Sequence, residues 1–439
     1  MVVIRNWLAL VQCTRSAARW GRSRAVGPVA VLGLWTGAEP MVRPVQPDGT
    51  SEIPLSRAVM QRSASQADST VVVVRLPDPA SPDAGRLRMR TTLLVEVPSR
   101  AAGPERLAGV RGLVRSPDGG FLMAESSMSR LRLFSSGGVP HATAGRAGAG
   151  PGEFRDMLAM VRCGPRAVAV QDPALNRVQF FSMALGQTGW LALPVGYNAD
   201  RILGCGERQR LIILADQPRT IPVQKGLIRT VAVVAITSGS GTADTMHTMP
   251  GTDYLFARRV PGFVDLPLGQ RALAAVGTSM VAAGSNMDGV ITLFDLAGRR
   301  IRRIRLETPR RRLSASEVRE AYRERVSLEV NKETRMLLTA VLREAPTEAQ
   351  SPMVEDLRVG LDDRLWVRAY PAEKSLTATW YLVSATGRLE GVLTLPRRFA
   401  PYEIGSNYLL GVDHDADGVV TVQLLSLGRD LPPRHDIRE

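Results

Sequence analysis

Two stretches of this 439-residue chain repeat each other at a spacing of 47 positions, and that spacing constrains the fold more than any other feature. The segment from Arg111 to Gly138 aligns with the segment from Met160 to Gly186, so that Glu125 matches Asp172, Arg130 matches Arg177 and Phe134 matches Phe181. Weaker echoes begin at Leu273 and Leu357. Each copy holds short alternating runs of apolar and polar residues closed by Gly, Pro, Asp or Ser, the pattern of half-buried strands joined by tight turns. Similar runs recur from Thr70 to Leu425 with no alternation of strand and helix, which disfavours Rossmann and barrel layouts built from parallel strands.

A period of about 40 to 50 residues carrying four short strands is the signature of one blade of a β-propeller. A single blade cannot bury both faces of its sheet, whereas stacking blades around an axis does so and leaves few free edges. The strand runs group near residues 108 to 157, 158 to 200, 201 to 262, 266 to 307, 351 to 398 and 399 to 430. This predicts an all-β, six-bladed β-propeller over residues 69–430, seven blades being the other count these runs allow. The strands at 70 to 99 are expected to complete the last blade and close the ring. One segment breaks the pattern. Ser314 and Glu317 form a capping box, followed by apolar residues at mixed three-and-four spacing up to Pro346, which predicts a helical insertion at 314–345 between blades 4 and 5.

Ahead of the ring, five arginines precede residue 39 with no acid among them, followed by a short apolar run from Ala25 to Trp35 and the small residues Thr36, Gly37 and Ala38. That order is the order of a secretory signal, so residues 1–38 are expected to be a signal segment, with a Pro/Ser/Gln-rich linker at 39–68 and a C-terminal tail at 431–439. Gln12 is too polar for the position before a lipidated Cys13, leaving lipid anchoring the lesser option. No apolar run is long enough for a transmembrane helix. The chain is expected to be exported, to the periplasm or beyond, and monomeric.

The net charge of +14 is a weaker nucleic-acid signal than its size implies. Three lysines stand against 53 arginines among the 56 basic residues, a skew that reads as codon bias. The densest cluster is Arg300, Arg302, Arg303 and Arg305 with Arg310, Arg311 and Arg312, a candidate polyanion patch or simply a solvated strand face. Aromatic stacking partners are absent from it, which argues against sequence-specific RNA binding.

The glycine-rich run from Gly145 to Gly152, then Glu153 and Phe154, a strand, and Asp172, Asn176, Arg177 and Val178 resembles the inter-blade loop and the D-x-x-N-x-R-[IV] element of NHL-type six-bladed β-propellers, in particular exported bacterial ones. The resemblance spans about 108 to 182. In the first blade Glu125 and Ser129 replace the Asp and Asn, and the fourth has Gly284 and Asp288. It implies a six-bladed ring and a binding role, and carries no activity. The loop itself lacks the lysine of a P-loop and the following helix of a dinucleotide site, so it reads as a tight turn with Phe154 wedged between sheets.

Candidate chemistry is sparse. Asp413, Asp415 and Asp417 alternate and are followed by Gly418, as Ca²⁺ ligands do in an EF-hand loop, but Leu424 stands where a bidentate Glu is needed and a β-hairpin tip fits the residues better. The four histidines form no metal motif and no nucleophile elbow occurs. Asp172, Asn176, Asp216, Asn286 and Asp295 could line the channel of a calcium-dependent propeller hydrolase or lactonase, the alternative to a non-enzymatic scaffold for a protein, glycan or small ligand, but nothing fixes them in a common site and surface turn residues are the reading the sequence favours. No cofactor is expected apart from that Ca²⁺. Beyond Cys13, Cys163 and Cys205 sit at matching places in neighbouring repeats; a disulfide after export is one reading, and two small buried hydrophobes is the one the sequence favours.

Overall fold

The structure is a computed structural model that describes residues 71–99, 107, 109–194, 198–224, 226–237, 241–256, 263–308, 310–327, 332–371, 375–415 and 419–429. The expected signal segment, the linker and the tail lie outside these residues. Six small antiparallel sheets form a ring, a six-bladed β-propeller, as the repeat predicts. Blades 1 to 6 begin with the strands Val110–Arg115, Ala159–Arg162, Asn198–Cys205, Ala272–Val276, Val354–Val359 and Ala400–Ile404. These first strands are the innermost. Each then pairs outward with the next strand in sequence.

The alternation seen in the sequence puts apolar side chains on both faces of each blade, and every pair of neighbours encloses a core. Between blades 1 and 2 lie Leu122, Leu131, Phe154, Val168 and Phe181. Between blades 5 and 6 lie Trp366, Trp380, Leu393, Phe399 and Leu409. The core between blades 6 and 1 holds Phe121, Phe134, Leu410 and Val422. Phe154 is fully buried at the end of the glycine-rich loop, as expected. Gly145 in that loop takes φ +91°, and a Cβ there would stand 2.8 Å from the Phe154 ring, so no other residue fits.

The matched element of blade 2 acts as a clasp on this loop. Buried Asp172 accepts from the amides of Arg155 at 2.8 Å, Asp156 at 3.2 Å and Leu175 at 3.2 Å. Asn176 takes the left-handed conformation, φ 49°, a region Asn tolerates. Arg177 then reaches back to the carbonyls of Ala149, Gly150 and Glu153. In blade 1 Ser129 keeps the same left-handed turn at φ 50°, while the longer Glu125 pairs with Arg130 at 2.6 Å instead of capping amides.

Ring closure differs from the sequence expectation in one respect. Met89–Pro98 pairs antiparallel with Val420–Arg429 and completes blade 6, but Val71–Arg75 pairs in parallel with Arg300–Glu307 on the outer edge of blade 4. Between them a short helix, α1 (Pro82–Arg86), passes blade 5, where Val392 N–H donates to the Leu87 carbonyl at 2.8 Å. Residues 71–98 are therefore a strap over three blades. The sequence shows two strands but not that the connection between them is long enough to skip a blade.

The insertion folds as two helices, α2 (Ala315–Ser327) and α3 (Lys332–Leu342), with the predicted capping box: Ser314 N–H donates to Glu317 at 2.8 Å and Glu317 N–H to Ser314 Oγ at 3.3 Å. It lies between blades 4 and 5 in sequence, yet its apolar face, Val318, Tyr322, Leu338 and Val341, packs on Leu255, Val264, Leu266 and Leu268 of blade 3 and the turn after it. No helix among the described residues is long and apolar enough to cross a membrane.

Candidate functional site

The six innermost strands leave an axial cavity of about 1330 Å³. Its charged lining is Arg111, Arg115, Arg162, Arg201, Arg208 and Arg358 against Glu207 and Glu403. Five of the arginines lie on first strands, and Arg208 lies in the turn after the first strand of blade 3. Among the described residues no three His, Cys, Asp or Glu side chains gather as a metal-ligand set.

One wall of the cavity is rigid. Glu403 on blade 6 accepts from Arg162 Nε at 2.8 Å, from the Arg115 amide at 2.9 Å and from Tyr408 Oη at 2.7 Å. Arg162 also donates to the Arg115 carbonyl, and the Arg115 guanidinium lies 4.4 Å from the centre of the Tyr408 ring. Burial raises the Tyr408 phenol well above its ordinary value and the Glu403 carboxylate adds to that, so the ring stays neutral. The cluster ties blades 1, 2 and 6 together. Arg115 and Arg162 stand the same 47 positions apart as Glu125 and Asp172, so the repeat offset could have picked them out.

Cys163 and Cys205 form a disulfide in the cavity wall. This overturns the preference for two free hydrophobes. Both residues end an innermost strand at the same level of adjacent blades, which brings their Cα atoms to 4.9 Å, within disulfide reach.

A smaller cavity of about 490 Å³ opens where blades 3, 4 and 5 meet. Asp216, Thr252, Arg271, Glu355, Asp356 and Arg368 line it, and Arg201 lines both cavities. Glu355 pairs with Arg368 at 2.8 Å and Asp356 with Arg358 at 2.9 Å. Burial pushes the Glu355 carboxyl above its ordinary range, with Arg368 opposing the shift. These residues come from three blades, and nothing local in the sequence marks them.

The sequence candidates fall elsewhere. Asp413 and Asp415 end the strand Tyr408–His414 and lead into the hairpin to Val420–Arg429; Asp415 N–H donates to the Val419 carbonyl at 3.1 Å and its Oδ1 accepts the Val419 amide at 2.8 Å. Asp417 lies outside the described residues. The five candidates for a hydrolase channel are dispersed. Asp172 and Asn176 serve the blade 2 clasp, Asp216 accepts from Thr230 at 3.0 Å, Asn286 bridges Gly269 and the Arg271 amide, and Asp295 holds a turn with Arg299.

The arginine cluster is split. Arg300, Arg303 and Arg305 are exposed on the outer part of blade 4, Arg302 is half-buried, and Ile301, at a bulge, is 49% exposed. The strand is also covered along one edge by Val71–Arg75. Arg310 is exposed, Arg311 pairs with Glu317 and Arg312 with Glu348 at the base of the insertion. His247, near Arg300 and Arg303, is held below its ordinary value by burial and then by those charges.

No family model matches the chain, and no curated protein matches it. Among solved structures it is similar to an exported-protein candidate from Bacteroides fragilis NCTC 9343, at 13% identity over 82% of this chain and 100% of that one, with a TM-score of 0.45. A member of the duf4221 family from Bacteroides vulgatus ATCC 8482 matches at 8% identity over 78% and 99%, TM-score 0.41. The calcium-binding protein regucalcin from Agrobacterium tumefaciens str. C58 matches at 10% identity over 83% and 99%, TM-score 0.33.

Proposed function

We propose that this chain is an exported propeller that works by binding, holding an anionic ligand in its arginine-lined axial cavity. The observation that carries the reading is the lining itself, six arginines against two glutamates, five of the arginines on innermost strands. Guanidinium groups lining a concave site recognise carboxylate, sulfate or phosphate groups through paired hydrogen bonds. A calcium-dependent hydrolase would need acidic and amide oxygens converging on one point, and the acids named for that role are engaged with their own local backbone or side chains.

A sulfated tetrasaccharide titrated into the purified protein is expected to give saturable heat that weakens as salt rises. In Arg111→Ser/Arg208→Ser its affinity should fall about tenfold or more, the loss of one or two charge-assisted hydrogen bonds. Arg303→Ser/Arg305→Ser should bind as the wild type does. The reading fails if the tetrasaccharide does not bind, or if affinity follows the blade 4 arginines, which would make the outer patch the site. Ca²⁺ in the same calorimeter is expected to give no saturable heat.

Export is supported by the basic, apolar and small-residue order at the N-terminus and by the disulfide, which persists in oxidising compartments. N-terminal sequencing of the native protein after fractionation should find a chain starting near residue 39 outside the cytoplasm. A cytoplasmic chain that begins at Met1 overturns it.

A further inference from the structure

From the cavity between blades 3, 4 and 5 we infer a second binding site, for a hydroxylated monocarboxylate such as a uronic acid residue, with Arg271 as the residue that takes the carboxylate. The inference stands apart from the axial site and holds even if that reading fails. Three cations and three acids line this cavity, Arg201, Arg271 and Arg368 with Asp216, Glu355 and Asp356. Arg271 acts on Glu355 only from beyond ion-pair distance, behind the closer Arg368. Arg368 is taken by Glu355 at 2.8 Å, and Asp356 is taken by Arg358, which lines the axial cavity, at 2.9 Å. The Arg271 Nε, like the Arg368 Nε, is buried with no hydrogen-bond partner among the described residues, but only Arg368 has a carboxylate within ion-pair distance, and a buried donor left unmade is costly until something accepts from it.

The base of Arg271 is fixed, which separates it from a solvent-swept surface arginine. Its amide donates to Asn286 Oδ1 at 2.7 Å and its carbonyl accepts the Asn286 amide at 3.1 Å. Asn286 is fully buried and donates onward to the Gly269 carbonyl at 2.9 Å. The neighbouring Gln270 is buried as well and donates its amide to Asp253 at 3.0 Å.

The charge balance selects the ligand class. With Arg368 opposite Glu355 and Asp356 opposite Arg358, the Arg271 guanidinium matches one negative charge, and a phosphate dianion would meet Glu355 and Asp356 as like charges. The same carboxylates and the Thr252 hydroxyl are acceptors for ligand hydroxyl groups, as buried acids commonly are for sugars. A volume of about 490 Å³ lies in the ordinary range for a small-molecule site.

The test is calorimetry with D-glucuronate, D-glucose and inorganic phosphate as separate probes on the full chain, with the melting temperature recorded for every variant. D-glucuronate should bind saturably, and D-glucose, the same ring without the carboxylate, and phosphate should each bind at least about tenfold more weakly. Arg271→Ala should lose about tenfold or more in glucuronate affinity while melting as the wild type does, and Arg271→Lys, which keeps the charge without the planar fork, should fall between. Should Arg271→Ala fail to fold, the Arg271→Lys comparison decides. Arg303→Ser/Arg305→Ser, at positions that line neither cavity, should leave glucuronate binding unchanged. The inference is overturned if wild-type protein does not bind glucuronate, if glucose or phosphate binds as tightly, or if a folded Arg271 variant binds glucuronate as well as the wild type.

Discussion

Deleting residues 71–98 is expected to abolish cooperative folding of the ring, and adding a synthetic peptide of that sequence should restore it. The strap contributes the outermost strand of blade 6, a fifth strand on blade 4 and the cover of blade 5. Val74 and Leu76 are buried in the core between blades 4 and 5, and Met89 in the core between blades 5 and 6. Each such side chain is worth roughly 2 kcal/mol by area alone. Backbone pairing over Met89–Pro98, the Tyr381 hydroxyl on the Pro77 carbonyl at 2.6 Å and the Leu76 amide on Glu307 at 2.9 Å add to this. The sum approaches the whole stability of an ordinary domain, about 5 to 15 kcal/mol. The strap also has no slack. A Cβ on Gly387 of blade 5 would stand 2.5 Å from Val72, so the chain lies directly on that turn. Gly387→Ala, at φ +86° and against Val72, should therefore destabilise more than an ordinary surface change. Heat unfolding and size exclusion read both experiments. A truncated chain that melts cooperatively at the wild-type temperature would show that the strap is decoration.

What the sequence shows and hides follows from how far each interaction reaches. The 47-residue offset makes blades 1 and 2 legible because each of them is built from contacts within about forty residues. The same locality makes the capping box at Ser314 and Glu317 legible. The partner of the insertion is not, since Val318 and Leu338 pack on Leu255 and Leu268, and any apolar surface would satisfy the same pattern. Val71–Arg75 reads as a strand from composition, but its parallel register on Arg303 to Glu307 depends on the path of α1 past blade 5. Arg271, Glu355 and Arg368 carry no local signature at all. Each is an ordinary arginine or glutamate until three blades bring them to one cavity.

Replacing both cysteines, Cys163→Ala/Cys205→Ala, is expected to lower stability by about 4 kcal/mol without changing the fold. The bond joins positions 42 apart and closes a loop holding the last three strands of blade 2 and the first strand of blade 3. Constraining a loop of that length in the unfolded chain gives the 4 kcal/mol figure on the chain-entropy account. With an unfolding entropy of about 2 cal/mol/K per residue over a chain of this size, the melting temperature should drop by roughly 5 °C. Treating wild-type protein with a reductant should produce a drop of similar size, and adding the reductant to the double variant should produce none. The bond's position gives the experiment a second readout. Cys163 and Cys205 end two strands that carry Arg162 and Arg201 into the axial cavity, so reduction should loosen that wall while the Glu403 cluster still holds blades 1, 2 and 6. Affinity for the sulfated tetrasaccharide should then fall less than it does in Arg111→Ser/Arg208→Ser. Two free thiols found in non-reduced protein, or a melting temperature that ignores both reductant and substitution, would mean the blades are held by their apolar cores alone.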